Sequence, residues 1–251
     1  MLTYWYRLVQ LRYQTDPYRN DGSVRLDGVG STRTYGDACA AAHALDLVGE
    51  RWALLVVREL LLGPKRFTDL RAGLPNAGPN RLSQRLRELE ESGIVRRRKL
   101  GPPARTWVYE LTDWGRQLRP VLAALGGWGR LSPFRDLNAD ISVDALMMAL
   151  QGDFAPEAGD GPSTTYLLAF GDDRVTVRTS GGDIDITRDE APTPDATVAT
   201  DARTFAAVLT RRRHLDEAVR AGDVSVSGDL DAVRRLLDSF PRPETAETPR
   251  A

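Results

Sequence analysis

The stretch from residue 78 to residue 111 constrains this chain more than any other. It opens Gly-Pro-Asn-Arg-Leu-Ser-Gln-Arg-Leu-Arg-Glu-Leu-Glu-Glu-Ser-Gly and continues Ile-Val-Arg-Arg-Arg-Lys-Leu. A Gly-Pro-Pro-Ala turn and Arg-Thr-Trp-Val-Tyr-Glu-Leu complete it. Pro79 suits a first helical position, where its missing N–H leaves no bond unmade and its fixed φ already matches the helix. Leu82, Leu86 and Leu89 recur at i, i+4 and i+7, so one stripe faces a core. The opposite side presents Asn80, Gln84, Arg87 and Glu91, flanked by Arg81, Ser83 and Glu88. Gly93 is placed to stop the helix in a left-handed conformation. Two short strands follow, the first carrying Arg96, Arg97, Arg98 and Lys99, with Arg105 just before the second.

A helix whose free side bears Asn, Gln and Arg matches the hydrogen-bonding edges of bases in a major groove. A basic hairpin beside it fits phosphates or a minor groove. Ahead of it lie a helix-rich stretch at 36–44, an inner helix at 50–62 with little polar face, and a short helix at 67–71. Helix, short helix, turn, recognition helix and hairpin is the order of a winged helix-turn-helix. After the hairpin, Thr112 is placed to cap a helix through Trp114, Leu118, Val121, Leu122, Leu125 and Trp128, which Pro120 should kink. Its apolar stripe either packs on its own domain or pairs with a second subunit together with the 36–44 helix; the pairing is expected because readers of paired half-sites are usually two-fold.

At these residues the chain resembles the HxlR-type transcriptional regulators. The shared words are Tyr35-Gly36-Asp37-Ala38-Cys39, Leu47-Val48-Gly49-Glu50-Arg51-Trp52, Arg58-Glu59-Leu60-Leu61-Leu62-Gly63-Pro64 and Arg66-Phe67-Thr68-Asp69-Leu70. They continue through Leu82-Ser83-Gln84-Arg85-Leu86-Arg87-Glu88-Leu89-Glu90, Gly93, the hairpin, Leu111-Thr112, Gly115 and Leu118-Arg119-Pro120-Val121. The resemblance implies a homodimeric regulator that binds double-stranded operator DNA with paired half-sites, its terminal helices making the dimer. Asn80, Arg81, Ser83, Gln84 and Arg87 would enter the major groove, while Arg96, Arg97, Arg98, Lys99 and Arg105 would hold the backbone. Gly78 departs from the family, which often has Ser before this Pro; Gly still caps a helix at a cost of a few tenths of a kcal/mol. Cys39 stands where redox-responsive members carry a sensing thiol, but Ala40 follows where Pro is common there. A small apolar packing residue is the competing reading of Cys39.

Composition divides the chain in two. Residues 35–131 hold 16 Lys/Arg and 10 Asp/Glu, a surplus of +6, whereas residues 140–240 hold 10 and 19, a deficit of −9. A DNA-facing module is therefore joined to one that avoids polyanions. Residues 1–34 read as a weakly structured extension, 132–139 as a polar linker and 241–251 as a disordered tail. The single cysteine agrees with a reducing compartment, and no apolar run nears the roughly 18 residues that span a bilayer. We expect a cytoplasmic protein that does not associate with membranes.

The second half reads as α+β, with helices covering one face of a sheet. A Ser142-capped helix is followed by strands at 165–170, 174–179, 184–187 and 196–200, the second and third joined at Gly181-Gly182. An Asp201-capped helix, a helix at 214–220, a strand at 224–228 and an Asp229-capped helix follow. This order, with Pro194-Asp195-Ala196-Thr197-Val198 and Gly222-Asp223-Val224-Ser225-Val226-Ser227-Gly228-Asp229-Leu230, resembles the sterol carrier protein type 2-like domain. The resemblance implies an apolar tunnel for a hydrophobic small-molecule effector. Met147, Met148, Phe154, Tyr166, Leu168, Phe170, Phe205, Leu209, Leu237 and Phe240 are its candidate lining; the same residues would equally fill a closed core. The two histidines, His43 and His214, lack a nucleophile or metal-ligand pattern around them, and no phosphate-cradling loop occurs. We expect no enzyme and no cofactor. The competing functions are a lipid carrier that uses its winged helix for dimerisation and a Cys39 thiol switch.

Overall fold

The computed structural model describes residues 34–155, 162–188 and 191–240. The extension expected at 1–34, apart from Thr34, and the tail at 241–251 lie outside the described residues. The chain is α+β, a winged helix-turn-helix followed by a sheet-and-helix layer.

Helix α1 spans Ala40–Val48, later than the 36–44 expected. The Asp37 carboxylate accepts a hydrogen bond from the Cys39 amide at 2.9 Å, and this local turn delays the helix until Ala40. Helix α2 spans Ala53–Leu60, shorter than the 50–62 expected, because Trp52 sits at φ +79 and resets the chain direction just before it. Helix α3 spans Phe67–Gly73, a 3₁₀ turn spans Pro75–Ala77, and α4 spans Pro79–Glu91 with Leu82, Leu86 and Leu89 fully buried. Gly93 takes φ +71 and turns the chain into β1, Val95–Lys99, which pairs antiparallel with β2, Trp107–Leu111.

The helix expected after Thr112 is two helices, α5 at Asp113–Arg116 and α6 at Arg119–Arg130. Thr112 caps the first, its hydroxyl accepting from the Gly115 amide at 3.0 Å. Pro120 sits in the first turn of the second, where its lack of an N–H ends the earlier hydrogen-bond ladder rather than bending it. Gly115 is enforced by packing, since a Cβ there would lie 2.1 Å from the Ile94 carbonyl oxygen.

Helix α7, Val143–Asp153, is capped by the Ser142 hydroxyl and leads into the second layer. Strands β3 (Thr164–Phe170), β4 (Asp173–Ser180), β5 (Asp183–Thr187), β6 (Ala196–Thr200) and β7 (Ser225–Gly228) form one sheet in the order β5-β4-β3-β6-β7. Among these described strands only the β3–β6 pair is parallel. Gly181 and Gly182 both take positive φ, as a two-residue hairpin twisted with its strands requires. Helices α8 (Ala202–Leu209) and α10 (Leu230–Asp238) are capped by Asp201 and Asp229; α9 spans Leu215–Arg220.

Two apolar clusters result. One gathers α2, α3, α4 and β2 around Val56, Leu70, Leu82, Leu86 and Leu111. The other packs α7, α8 and α10 on the sheet around Leu150, Leu168, Val177, Val198 and Leu236.

Candidate nucleic-acid interface

On α4, burying Leu82, Leu86 and Leu89 leaves Asn80, Arg81, Gln84 and Arg87 exposed and Ser83 half-buried. Gln84 donates from Nε2 to Glu88 Oε1 at 3.0 Å, so its amide oxygen is directed by a partner one turn on. Arg85, between these positions, is mostly buried and pairs with Glu88 and Glu50 instead of facing outward.

The hairpin sorts its cations by strand alternation. Arg96 and Arg98 share one face, where both reach Glu110: Arg96 Nε at 2.7 Å and Arg98 Nη2 at 2.9 Å from its oxygens. The Arg98 hydrogen bond outweighs burial and, with Arg96, holds the Glu110 carboxyl below its usual range. Arg97 lies on the other face, its guanidinium 4.6 Å from the Trp107 ring centre and 6.0 Å from that of Tyr109. Its charge is thus oriented by aromatic faces, with the Glu90 carboxylate close enough to feel it. Lys99 is exposed at the strand end and Arg105 in the turn, at φ +40.

A feature the sequence reading missed fixes where this hairpin stands. Lys65 forms a β-bridge with Tyr109, its amide donating to the Tyr109 carbonyl at 3.0 Å and the Tyr109 amide donating back at 2.8 Å. The Lys65 side chain is buried and contacts Glu59 Oε2 at 2.9 Å and Asp144 of α7. Asp144 also receives Arg188 at 2.7 Å, and the Ser142 hydroxyl donates to Glu59 Oε1 at 2.6 Å. The second layer is therefore ion-paired to the base of the wing. One signal was available: Glu59 lies on a helix with almost no polar face, and a carboxylate there needs a cation.

The other proposed residues separate into two groups. Met147, Tyr166, Leu168, Phe170, Phe205, Leu209, Leu237 and Phe240 are buried in the second cluster, and Phe154 packs against it. The rings of Phe170 and Phe205 meet edge-on at 5.6 Å, and the Tyr166 hydroxyl donates to the Ala232 carbonyl at 3.1 Å. Met148 instead packs against the winged-helix cluster and lines a cavity of about 490 Å³ between α6, α7 and α8. Cys39 is exposed at the start of α1, where the amides of Ala42 and Ala41 stabilise its thiolate and lower its pKa. Among the described residues no group of three or more His, Cys, Asp or Glu could hold a metal ion, and no helix is long and apolar enough to cross a membrane.

A helix with an exposed amide-and-guanidinium face beside a cationic hairpin defines a winged-helix DNA-binding regulator. The family model of the HxlR-like helix-turn-helix matches residues 47–134. YvaP of Bacillus subtilis, an HTH-type transcriptional regulator, is 40% identical over 85 residues, covering 34% of this chain and 79% of the relative. YodB of the same organism, also an HTH-type transcriptional regulator, is 35% identical over 85 residues, covering 34% and 76%. The reduced form of YodB in its solved structure is 31% identical, covering 39% of this chain and 97% of that one, with a TM-score of 0.35. This chain belongs to the HxlR-like helix-turn-helix family. Residues 136–246 match a second model, the alkyl sulfatase C-terminal domain.

Proposed function

We propose that this DNA-binding regulator acts as a homodimeric repressor whose C-terminal layer senses a hydrophobic small molecule, and that it is not an enzyme. Asn80, Arg81, Ser83, Gln84 and Arg87 read base edges in successive major grooves of a two-fold operator. Arg96, Arg97, Arg98, Lys99 and Arg105 hold the flanking phosphates. The single observation that carries this reading is the exposed amide-and-guanidinium face of α4 beside the aromatic-backed Arg97 of the wing. Dimerisation is supported by α6, which leaves Val121, Leu125 and Trp128 exposed along one side. Such a protein works in the cytoplasm, where its operator is.

The sterol carrier-like reading of the second layer offers a hydrophobic site, and Met148 is its best-supported contact because it borders open volume. The other nine candidates already fill one another's space, so a ligand among them requires the core to open. The test is retention of genomic fragments: the purified protein should enrich a sequence with two half-sites. Recovery of fragments at background frequencies sinks the reading.

A thiol switch at Cys39 is favoured by one observation, an exposed sulfur with a lowered pKa at a helix start. Oxidant should then release operator from the wild type and not from Cys39→Ser. Equal release from both removes Cys39 from the mechanism.

A further inference from the structure

The cavity of about 490 Å³ is of the size that holds small organic ligands. Its apolar wall is made by Ala145, Met148 and Ala149 of α7, facing Ala123, Gly126 and Gly127 of α6. Helix α6 carries three glycines, at 126, 127 and 129, each costing about 1 kcal/mol of helix stability relative to Ala. A Cβ at Gly126 or Gly129 would meet nothing within 4 Å, so close packing does not demand them. At Gly126 and Gly129 the missing side chains leave open space.

The rim carries five arginines, Arg58, Arg130, Arg135, Arg203 and Arg212, against three carboxylates, Asp136, Asp140 and Asp153, a surplus of two positive charges. This surplus opposes the −9 of residues 140–240. Arg130 pairs with Asp153, Arg203 with Asp140, and Arg58 with Glu59. Arg212 reaches only neutral oxygens, those of Thr210 and Asn138. Among the described residues Arg135 has no side-chain partner. Of the three rim carboxylates only Asp136 lacks an ion-pair partner among the described residues, its Oδ1 accepting from the Asn138 amide at 2.9 Å. The charges not spent in ion pairs are therefore Arg135 and Arg212 against Asp136, a net positive charge at the edge of an apolar trough.

We infer that this cavity binds an amphiphile with one anionic head group, a carboxylate or a sulfate, held by Arg135 and Arg212, with its apolar body along α6 and α7. The inference rests on the effector reading above and gives that effector a place and a chemical class. It also supplies the coupling. Ala123, Gly126, Gly127 and Arg130 lie about 180° around α6 from Val121, Leu125 and Trp128, at roughly 100° per residue. A ligand wedged against one side of α6 moves the side proposed to meet the second subunit.

The test titrates the full chain with sodium decanoate, 1-decanol and decyltrimethylammonium by calorimetry, measuring operator affinity in the same samples. Decanoate should bind at least about tenfold more tightly than decanol, as a charge-assisted contact implies, and the cation least. Arg135→Gln with Arg212→Gln should bring decanoate down to the decanol level. Gly126→Leu with Gly152→Leu, at two cavity-lining positions where an added Cβ meets nothing within 4 Å, should abolish binding of both. Thermal unfolding of the ligand-free variants checks that they are folded. Equal binding of decanoate and decanol, no binding of any probe, or wild-type decanoate affinity in either folded variant overturns the proposal. Decanoate bound in the cavity with operator affinity unchanged upholds the site and sinks only its role as an effector site. Failure of the ligand-free protein to select an operator sinks the repressor reading and leaves the site to be judged by the calorimetry alone.

Discussion

Gly78 precedes the recognition helix at φ +63 and ψ 145, a conformation open essentially to glycine alone. Two effects compete if it is replaced by the serine common in the family. A serine cap is worth a few tenths of a kcal/mol over glycine, whereas a non-glycine residue in this region costs about 1–3 kcal/mol. Strain wins, so Gly78→Ser should lower the unfolding free energy by about 1–2 kcal/mol in urea titration, and a gain would mean that the turn relaxes freely. The departure at Gly78 was visible in the sequence, but its reason was not, because residue type does not report ψ. The wing arginines present a similar case. Four consecutive cations look equivalent in sequence, yet Glu110 already partners Arg96 and Arg98 while Arg97 rests on aromatic rings. If each subunit neutralises about four phosphates, log K for the dimer should fall with log salt at a slope of about −7. Arg97→Gln should flatten that slope by about 2, and Arg98→Gln by clearly less, since its charge is partly spent. Gln84→Ala should leave the slope alone and relax preference at one base pair per half-site, as scored by selection from a randomised operator. A common effect of Arg97→Gln and Gln84→Ala on slope and preference would refute this division of labour.

At the scale of elements, periodicity made the helices and strands legible, and departures came at their ends. Helix α1 starts late because Asp37 captures the Cys39 amide, and the helix after the wing divides because Pro120 begins a new one. What periodicity could not convey is the ionic join between α2, α7 and the wing, since its members are 79 and 85 residues apart from Lys65 to Asp144 and from Glu59 to Asp144. The join has an acid signature. Burial pushes the Glu59 carboxyl up, but Lys65, Arg58 and the Ser142 hydroxyl outweigh it and hold the group below its usual range. A folded-state pKa below the unfolded value, about 4.3 for Glu, gives stability that is present above that value and lost as pH falls through the folded one. Asp144 acts in reverse, because burial dominates Lys65 and Arg188 and raises it. The folded chain then takes up that proton before the unfolded chain does, which adds stability as pH falls. Glu59→Gln should therefore make the thermal midpoint fall less steeply between pH 6 and pH 3, and Asp144→Asn should make it fall more steeply. Parallel profiles in both variants would show that the join does not titrate as described.

For the whole molecule, the sequence was ambiguous where it mattered most for the second half. Alternating strands state which side chains point inward, and inward-pointing Leu168, Phe170 and Met147 look the same whether they touch a ligand or one another. A cavity lies instead beside α6, its apolar wall made largely of glycines and alanines that carry little signal on their own. Helix α6 thus has one side toward that cavity and one side bare, with Trp128 at 75% exposure and Val121 and Leu125 near half. Leaving such a stripe in water forfeits roughly 25 cal/mol per Å² of apolar area, which burial between two subunits recovers. If α6 is the seam of the dimer, Leu125→Glu with Trp128→Glu places two like charges from each subunit in it while adding nothing to the folded monomer's interior. Sedimentation should then report a monomer with an unchanged thermal midpoint at low protein concentration. DNA binding should persist only as a weak, salt-sensitive contact with about half the wild-type salt slope, because one wing and one recognition helix remain per bound molecule. A variant that still sediments as a dimer would move the two-fold seam elsewhere, and with it the route by which a ligand beside α6 could reach the two recognition helices.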